Sequence, residues 1–392
     1  MAPLHVLTLS TLFPSAAQPN FGIFVERQTR ALAARSGVDV TVVAPVGLPP
    51  CPLDRLPHYA VARALPLQDV RNGLTVHRPR FTVLPGTAGR WHAPMMARAI
   101  APLVRRLHAE RPFDVIDASF FFPDGAVAMR LSAMLCIPYS VKARGADIHF
   151  WGEAPATRDA VRQAGVKAAG LLAVSGAMRE SMVALGMPGE RISVHYTGVD
   201  LDRFAPQDKA AAKAAKGLSG PVIATLGALI PRKGQALVIE ALEAIPDATL
   251  LLIGEGPDRA ALTAQAARAG MGERVRLLGS VPHDDLPGWL AATDVMCLPS
   301  ASEGLANAWV EALACGVPIV ITDVGGAREL LDRTDGGRIV ERTSPSIAAG
   351  IAELLATPVN TEAVRAHALK FTWEANAETL EAHLRACASR SA

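Results

Sequence analysis

Two carboxylates, Glu303 and Glu311, with seven residues between them, stand in the stretch Pro299 to Pro318. The apolar run Asp294–Pro299 leads in as a strand, Ser300 to Ala306 form a small-residue turn, and a helical pattern runs from Asn307, read as the N-cap, to Cys315. Gly316 and Pro318 supply the stop. Glu303 is therefore expected in a loop at the carboxyl end of a strand, and Glu311 one turn into a helix. The backbone N–H groups of Gly304, Leu305, Ala306 and Asn307 suit an anion, because donors at a helix start lack acceptors and the helix dipole is positive there. Carboxylates suit vicinal hydroxyls. Together they predict a polar ligand carrying phosphate and several hydroxyls. The spacing alone also fits Glu311 as a capping or surface residue, although a capping box would put the acid at Val310.

A second group with this chemistry lies in Thr225–Gly234, where a strand, a turn at Gly227 and the pair Arg232 and Lys233 precede a helix. Cations there suit a leaving diphosphate, whose charge grows as its bond breaks. The plainer reading is a solvated basic pair at a turn.

Positioning these residues takes parallel sheets. Strand-like runs alternate with helical patterns along the whole chain. The first six runs begin at Leu4, Val38, Val115, Tyr139, Leu171 and Ile192. The second six begin at Val222, Thr249, Val275, Val295, Ile319 and Arg338. The fold class is α/β, with two Rossmann-like domains: residues 1–205, with the amphipathic C-terminal helix 372–392 packing back on them, and residues 206–371. At 392 residues and 50% hydrophobic content, two cores are affordable. Residues 45–74, rich in proline, read as a long loop or short helices.

Charge is uneven, with 22 Lys and Arg against 15 Asp and Glu in residues 1–206, and 17 against 22 beyond. The basic half would favour an acidic substrate or anionic lipid, hence peripheral contact with a membrane. No basic block with interleaved aromatics suggests nucleic acid. Five scattered cysteines without Cys-x-x-Cys predict reduced thiols and no zinc. No apolar run reaches the length of a bilayer span, which predicts a cytoplasmic protein.

Further candidates lie at the ends of first-half strands. Asn20, Phe21 and Gly22 sit in a loop before a helix, where a glycine lets the backbone approach a ligand. Asp117-Ala-Ser-Phe-Phe-Phe-Pro-Asp-Gly125 places Ser119 at a strand end and Asp124 as a helix cap. Arg144, Gly145 and Asp147 follow another strand; Arg144 would take an anionic acceptor or diphosphate, or pair with Asp147. Ser175 reads as a cap. Asp200-x-Asp202 looks like a divalent-ion pair but falls in a linker, so no metal is expected. Gly254-x-Gly256 lacks the third glycine of a dinucleotide fingerprint.

The pattern Ser-x-x-Glu-Gly…Glu-Ala-x-Ala-x-Gly-x-Pro-Ile-Val from Ser300 to Val320 resembles the signature of the family 4 retaining glycosyltransferases, which have the GT-B fold. Ordered likenesses run from Thr11 to Trp373. The resemblance implies that two domains face each other across a cleft and that a sugar passes from a nucleotide-diphosphate sugar to an acceptor hydroxyl with retention. It further implies that no metal or other cofactor takes part. Glu303 would hold the donor sugar and Glu311 the ribose. Gly22, Gly227, Arg232, Lys233 and the 304–307 backbone would hold the rest of the donor. Asn20, Phe21, Arg144 and Asp147 would face a glycan or lipid-linked saccharide acceptor. The chain departs from the pattern at Ser119, where the family usually carries a donor-contacting histidine, and at Ala228, where it carries an arginine. Those departures leave a non-catalytic donor-binding subunit open, beside an epimerase or phosphorylase of the same fold. The branch resembled builds exopolysaccharide or cell-wall polymers.

Overall fold

The structure is a computed structural model and describes residues 3–16, 18–358 and 360–390. Contacts divide the chain into two compact units, Met1–Gly198 with Trp373–Ala392, and Val199–Thr372.

In the first unit the strands are β1 (Leu4–Leu9), β2 (Val38–Val43), β3 (Val46–Leu48), β4 (Gln68–Arg71), β5 (Leu74–His77), β6 (Arg80–Thr82), β7 (Val115–Ala118), β8 (Tyr139–Ala143), β9 (Gly170–Ala173) and β10 (Ile192–Val194). Eight of them form one sheet in the order β10-β9-β8-β7-β1-β2-β5-β4, parallel except where β4 runs against β5. The sequence turns from one side of β1 to the other between β2 and β7, so a topological switch point lies between β1 and β7. Residues 45–74 are not a plain loop: they hold β3, β4 and the short helix Ala60–Ala64. β3 pairs with β6 in a separate two-stranded sheet, and three- or four-residue strands are too short to show a period.

The central strands are buried on both faces, as parallel strands under helices must be. The C-terminal helix Trp373–Ser389 lays Leu380, Leu384 and Cys387 on Leu4, Val6 and Leu172. Each such leucine contributes about 1.5–3 kcal/mol. Residues 391 and 392 of the expected helix lie outside the described residues.

The second unit carries β11 (Val222–Leu226), β12 (Thr249–Ile253), β13 (Val275–Gly279), β14 (Val295–Leu298), β15 (Ile319–Thr322) and β16 (Gly337–Val340). All are parallel, in the order β13-β12-β11-β14-β15-β16. Here the switch point lies between β11 and β14. The loops after those two strands carry Arg232 and Lys233 on one side and Glu303 on the other.

Candidate functional site

In the second unit the strand order brings together residues about seventy positions apart. Lys233 Nζ donates to Glu303 Oε1 at 2.5 Å, and Arg232 Nη1 lies 3.5 Å from the same oxygen. The Lys233 chain passes over Gly227, within 4 Å of where a Cβ there would stand. The two loops are also stitched by their backbones, since Ala301 N donates to Arg232 O at 2.8 Å and the Arg232 guanidinium donates to Ser302 O. Gly227, Arg232, Lys233 and Glu303 therefore form one cluster at the switch point. Only 9% of the Glu303 side chain is exposed, against 42% for Arg232. The acid is sheltered enough for its ion pair to count, whereas Arg232 is largely screened.

The helix Asn307–Ala314 starts one residue earlier than its residue types suggest. Ala306 is its N-cap and no side chain caps it; Asn307 is the first helical residue. Among the described residues, the N–H groups of Gly304, Leu305, Ala306 and Asn307 have no acceptor. Leu305 and Ala306 are buried. The loop is held from behind, because Gly326 N donates to Gly304 O at 2.7 Å. Gly325 (φ +53°) packs so closely that a Cβ would lie 2.3 Å from Gly304 O.

Glu311 has a partner that motif reading missed. His283 Nε2 lies 2.7 Å from Glu311 Oε1, and the His283 ring meets Phe204 edge-on at 5.2 Å. Arg342 was also missed: it donates to Pro299 O at 2.9 Å and Pro231 O at 3.0 Å, clamping both switch-point loops. A lone arginine just past the last strand is the only sequence signal for it.

The first-unit candidates are more deeply set. Gly22 (φ +71°) caps the helix Ile23–Ala33, and a Cβ on it would lie 2.3 Å from Leu12 O. Its close approach is thus to the chain's own backbone. Asn20 and Phe21 beside it are exposed. Ser119 is fully buried, and its Oγ has no hydrogen-bond partner.

Asp124 does not cap its helix. Thr11 N donates to Asp124 Oδ2 at 3.0 Å across the β1–β7 switch point, and burial pushes its carboxyl up to about 7. Burial likewise raises Asp117 to about 6. Asp147 does not face outward: it is buried and accepts N–H bonds from Gly145 (2.8 Å), Arg144 (3.0 Å) and Phe121 (3.2 Å). Those bonds shape the turn that carries Arg144.

The Arg144 guanidinium donates to Ser119 O at 2.8 Å and to Gln28 Oε1 at 3.3 Å, and it stacks on Phe24 at 4.7 Å. No direct ion pair joins it to Asp147. Burial lowers Arg144 to about 10, still charged near neutral pH. Lys142 also donates to Gln28 Oε1, at 3.2 Å, and burial holds it well below its ordinary value. Ser175 does cap its helix, accepting from Met178 N. Asp200 accepts from Arg203 N at 3.1 Å, a turn-forming role. Among the described residues, no group of three or more His, Cys, Asp or Glu is disposed to hold a metal, and no helix is long and apolar enough to cross a membrane.

Residues 206–371 match the family described as glycosyl transferases group 1, and residues 22–203 the family described as Glycosyltransferase Family 4. The chain is 30% identical over 361 residues to a putative teichuronic acid biosynthesis glycosyltransferase, TuaC, of Bacillus subtilis, covering 89% of this chain and 88% of that one. A GDP-mannose-dependent phosphatidylinositol monomannoside mannosyltransferase of Mycolicibacterium smegmatis is 34% identical over 223 residues, 53% of this chain and 58% of its own. Among solved structures, sucrose-phosphate synthase from Thermosynechococcus elongatus superposes with a TM-score of 0.80 at 20% identity, over 97% of this chain and 98% of that one. Anabaena HepE in complex with UDP superposes with a TM-score of 0.73 at 21% identity, over 97% and 99%.

Proposed function

The chain belongs to glycosyltransferase family 4 and has the GT-B fold, and from that premise we propose that it moves a sugar from a nucleotide-diphosphate sugar to an acceptor hydroxyl with retention at the anomeric carbon. The acceptor is a glycan or lipid-linked saccharide, and the product a cell-surface or exopolysaccharide. The observation that carries the proposal is the Lys233–Glu303 contact at the second switch point, beside Gly227 and a loop of N–H groups without acceptors.

Glu303 is the group that accepts hydroxyls of the donor sugar. Lys233, Arg232 and the 304–307 N–H groups take the diphosphate, so charge building on the leaving phosphate meets fixed donors. Donor binding turns Lys233 from its internal partner towards the phosphate and frees a Glu303 oxygen. Glu311 takes the ribose, sharing its carboxylate with His283. The bond from the anomeric carbon to the phosphate breaks as the acceptor oxygen bonds on the same face, and the acceptor's proton passes to the departing phosphate oxygen. In this proposal no protein base, metal ion or cofactor takes part. Asn20, Phe21 and Arg144 serve the acceptor, and the protein works in the cytoplasm, in peripheral contact with the membrane.

The donor is found by incubating the protein with a panel including UDP-glucose and GDP-mannose and following hydrolysis or transfer by mass spectrometry. NMR of the product then gives the anomeric configuration. Inversion, or full activity in Glu303→Gln, refutes the mechanism. A second reading, a donor-binding subunit without turnover, is favoured by the buried Ser119 hydroxyl standing where the family carries histidine. Donor binding without turnover over an acceptor panel would support it.

A further inference from the structure

A cavity of about 770 Å³ lies in the first unit at the amino ends of β8, β9 and β10, the edge of the sheet away from the switch-point loops. Tyr139 at the start of β8, Ala169 just before β9 and Arg191 just before β10 all line it. Its volume is in the range of small-molecule sites. Three cations face this space: Lys167 at the end of the helix Arg158–Lys167, Arg191, and Arg390 just past the C-terminal helix. Among the described residues none of the three has an ion-pair partner. Glu190 lines the same cavity, yet it pairs with none of them. Three cations against one acid leave a net charge of +2 around the cavity, which draws in an anion.

Two of the cations are held in place. Arg191 Nη1 donates to Ala168 O at 3.2 Å and Val166 O at 3.3 Å, and Arg390 Nη1 donates to Ala169 O at 2.7 Å. Carbonyls at a helix end by themselves attract arginines. They account for only one nitrogen of each guanidinium, however, since Nε and Nη2 of both have no hydrogen-bond partner among the described residues. A guanidinium fixed through one nitrogen presents the others as a fork for an oxyanion. The exposed Lys167 adds a point charge. A carboxylate would bring one negative charge to this setting, whereas a phosphate group brings up to two and more acceptor oxygens.

We propose that this cavity binds a phosphate-bearing anion through Lys167, Arg191 and Arg390, at a site that shares no residue with the Lys233–Glu303 cluster. A soluble phosphate compound and the headgroup of an anionic lipid have this chemistry in common, and the experiment separates the two. The proposal is independent of the transfer reading.

Cys136 supplies a local reporter, because it lines the cavity and is exposed; Cys51 is exposed but does not line it, and Cys297, Cys315 and Cys387 are buried. The whole protein is alkylated with iodoacetamide at rising pyrophosphate, and each thiol is followed by peptide mass spectrometry. Alkylation of Cys136 is expected to slow about tenfold when pyrophosphate reaches about ten times its dissociation constant, with Cys51 unchanged. Lys167→Glu and Arg191→Gln are each expected to raise the half-protecting concentration about tenfold or more, whereas Lys233→Met leaves it unchanged. Lys167 is exposed and holds no other side chain, so its variant keeps the fold, as a thermal melt checks. In a second arm, vesicles of phosphatidylcholine with phosphatidylglycerol replace pyrophosphate, against phosphatidylcholine alone. Protection by pyrophosphate alone assigns the site to a soluble anion, and protection by the anionic vesicles alone assigns it to a lipid headgroup. Protection by neither overturns the proposal. So do equal slowing of Cys51, the same effect from sodium chloride at matched ionic strength, wild-type protection in folded Lys167→Glu, and loss of protection in Lys233→Met.

Discussion

Replacing Gly325 by alanine isolates the placement of the Glu303 loop from its chemistry. A Cβ at Gly325 would lie 2.3 Å from Gly304 O and 2.4 Å from Glu303 O, whereas carbon and carbonyl oxygen ordinarily stand about 3.3 Å apart. Both carbonyls must therefore retreat by about 1 Å, carrying with them the N–H donors and the carboxylate facing Lys233. A misplacement of that size costs about a hundredfold in rate. Alanine at φ +53° also costs about 1–2 kcal/mol of backbone energy, which would lower stability wherever it occurred. Gly270→Ala supplies the control, since Gly270 has φ +68° and nothing within 4 Å of a Cβ. The expected result is a loss of thermal stability in both variants, with kcat/KM and nucleoside diphosphate affinity falling about a hundredfold only in Gly325→Ala. Titration of UDP and GDP, transfer rates and thermal melts read these terms separately. Wild-type affinity and rate in a folded Gly325→Ala would refute the role given to the loop.

Lys233→Met removes the donor that lies 2.5 Å from Glu303. A charge-assisted hydrogen bond contributes about 1.5–3 kcal/mol, so nucleoside diphosphate affinity should fall roughly 10- to 100-fold by calorimetry. Asp124→Asn tests the buried acid at the first switch point. Its folded pKa, about 7, lies above the ordinary 3.8, so the folded chain holds a proton that the unfolded chain releases. The resulting stability is full below about pH 4 and is lost as pH rises to about 7. Asparagine is free of that loss and can still accept from Thr11 N. Its melting temperature relative to the wild type should therefore rise between pH 5 and pH 8, by at most the equivalent of about 3 kcal/mol; a difference independent of pH would refute the assignment.

Twelve of the sixteen strands could be read from residue types, most of them as apolar runs set off by turn residues. β3 and β6, three residues each, pair only with one another, and no alternation can register over so few positions. Glu303 and Lys233 were each visible as charged residues at strand ends. Their contact was not, because it depends on β14 lying beside β11, and strand order leaves no trace in local composition. The same limit hid His283 and Arg342, whose partners stand 28 residues away in one case and 43 and 111 in the other. Asp124 shows the converse. Pro-Asp-Gly before a helix is a sound local signal for a cap, yet the β1–β7 switch point brings Thr11 N against it, and a partner across the sheet displaces the local one.

Local chemistry thus nominates residues, while topology decides which of them meet. In this chain it does so by the same device twice. In each unit the sequence changes sides of its sheet, leaving two strand ends with no helix between them. The first holds Asp124 against Thr11 N, with Ser119 buried at the end of β7. The second holds Glu303 against Lys233. Asp124, sealed inside its unit, is driven towards its neutral form, whereas the Glu303 side chain is 9% exposed and stands beside Lys233 and Arg232. That difference, more than residue type, is why the donor reading is built on the second unit.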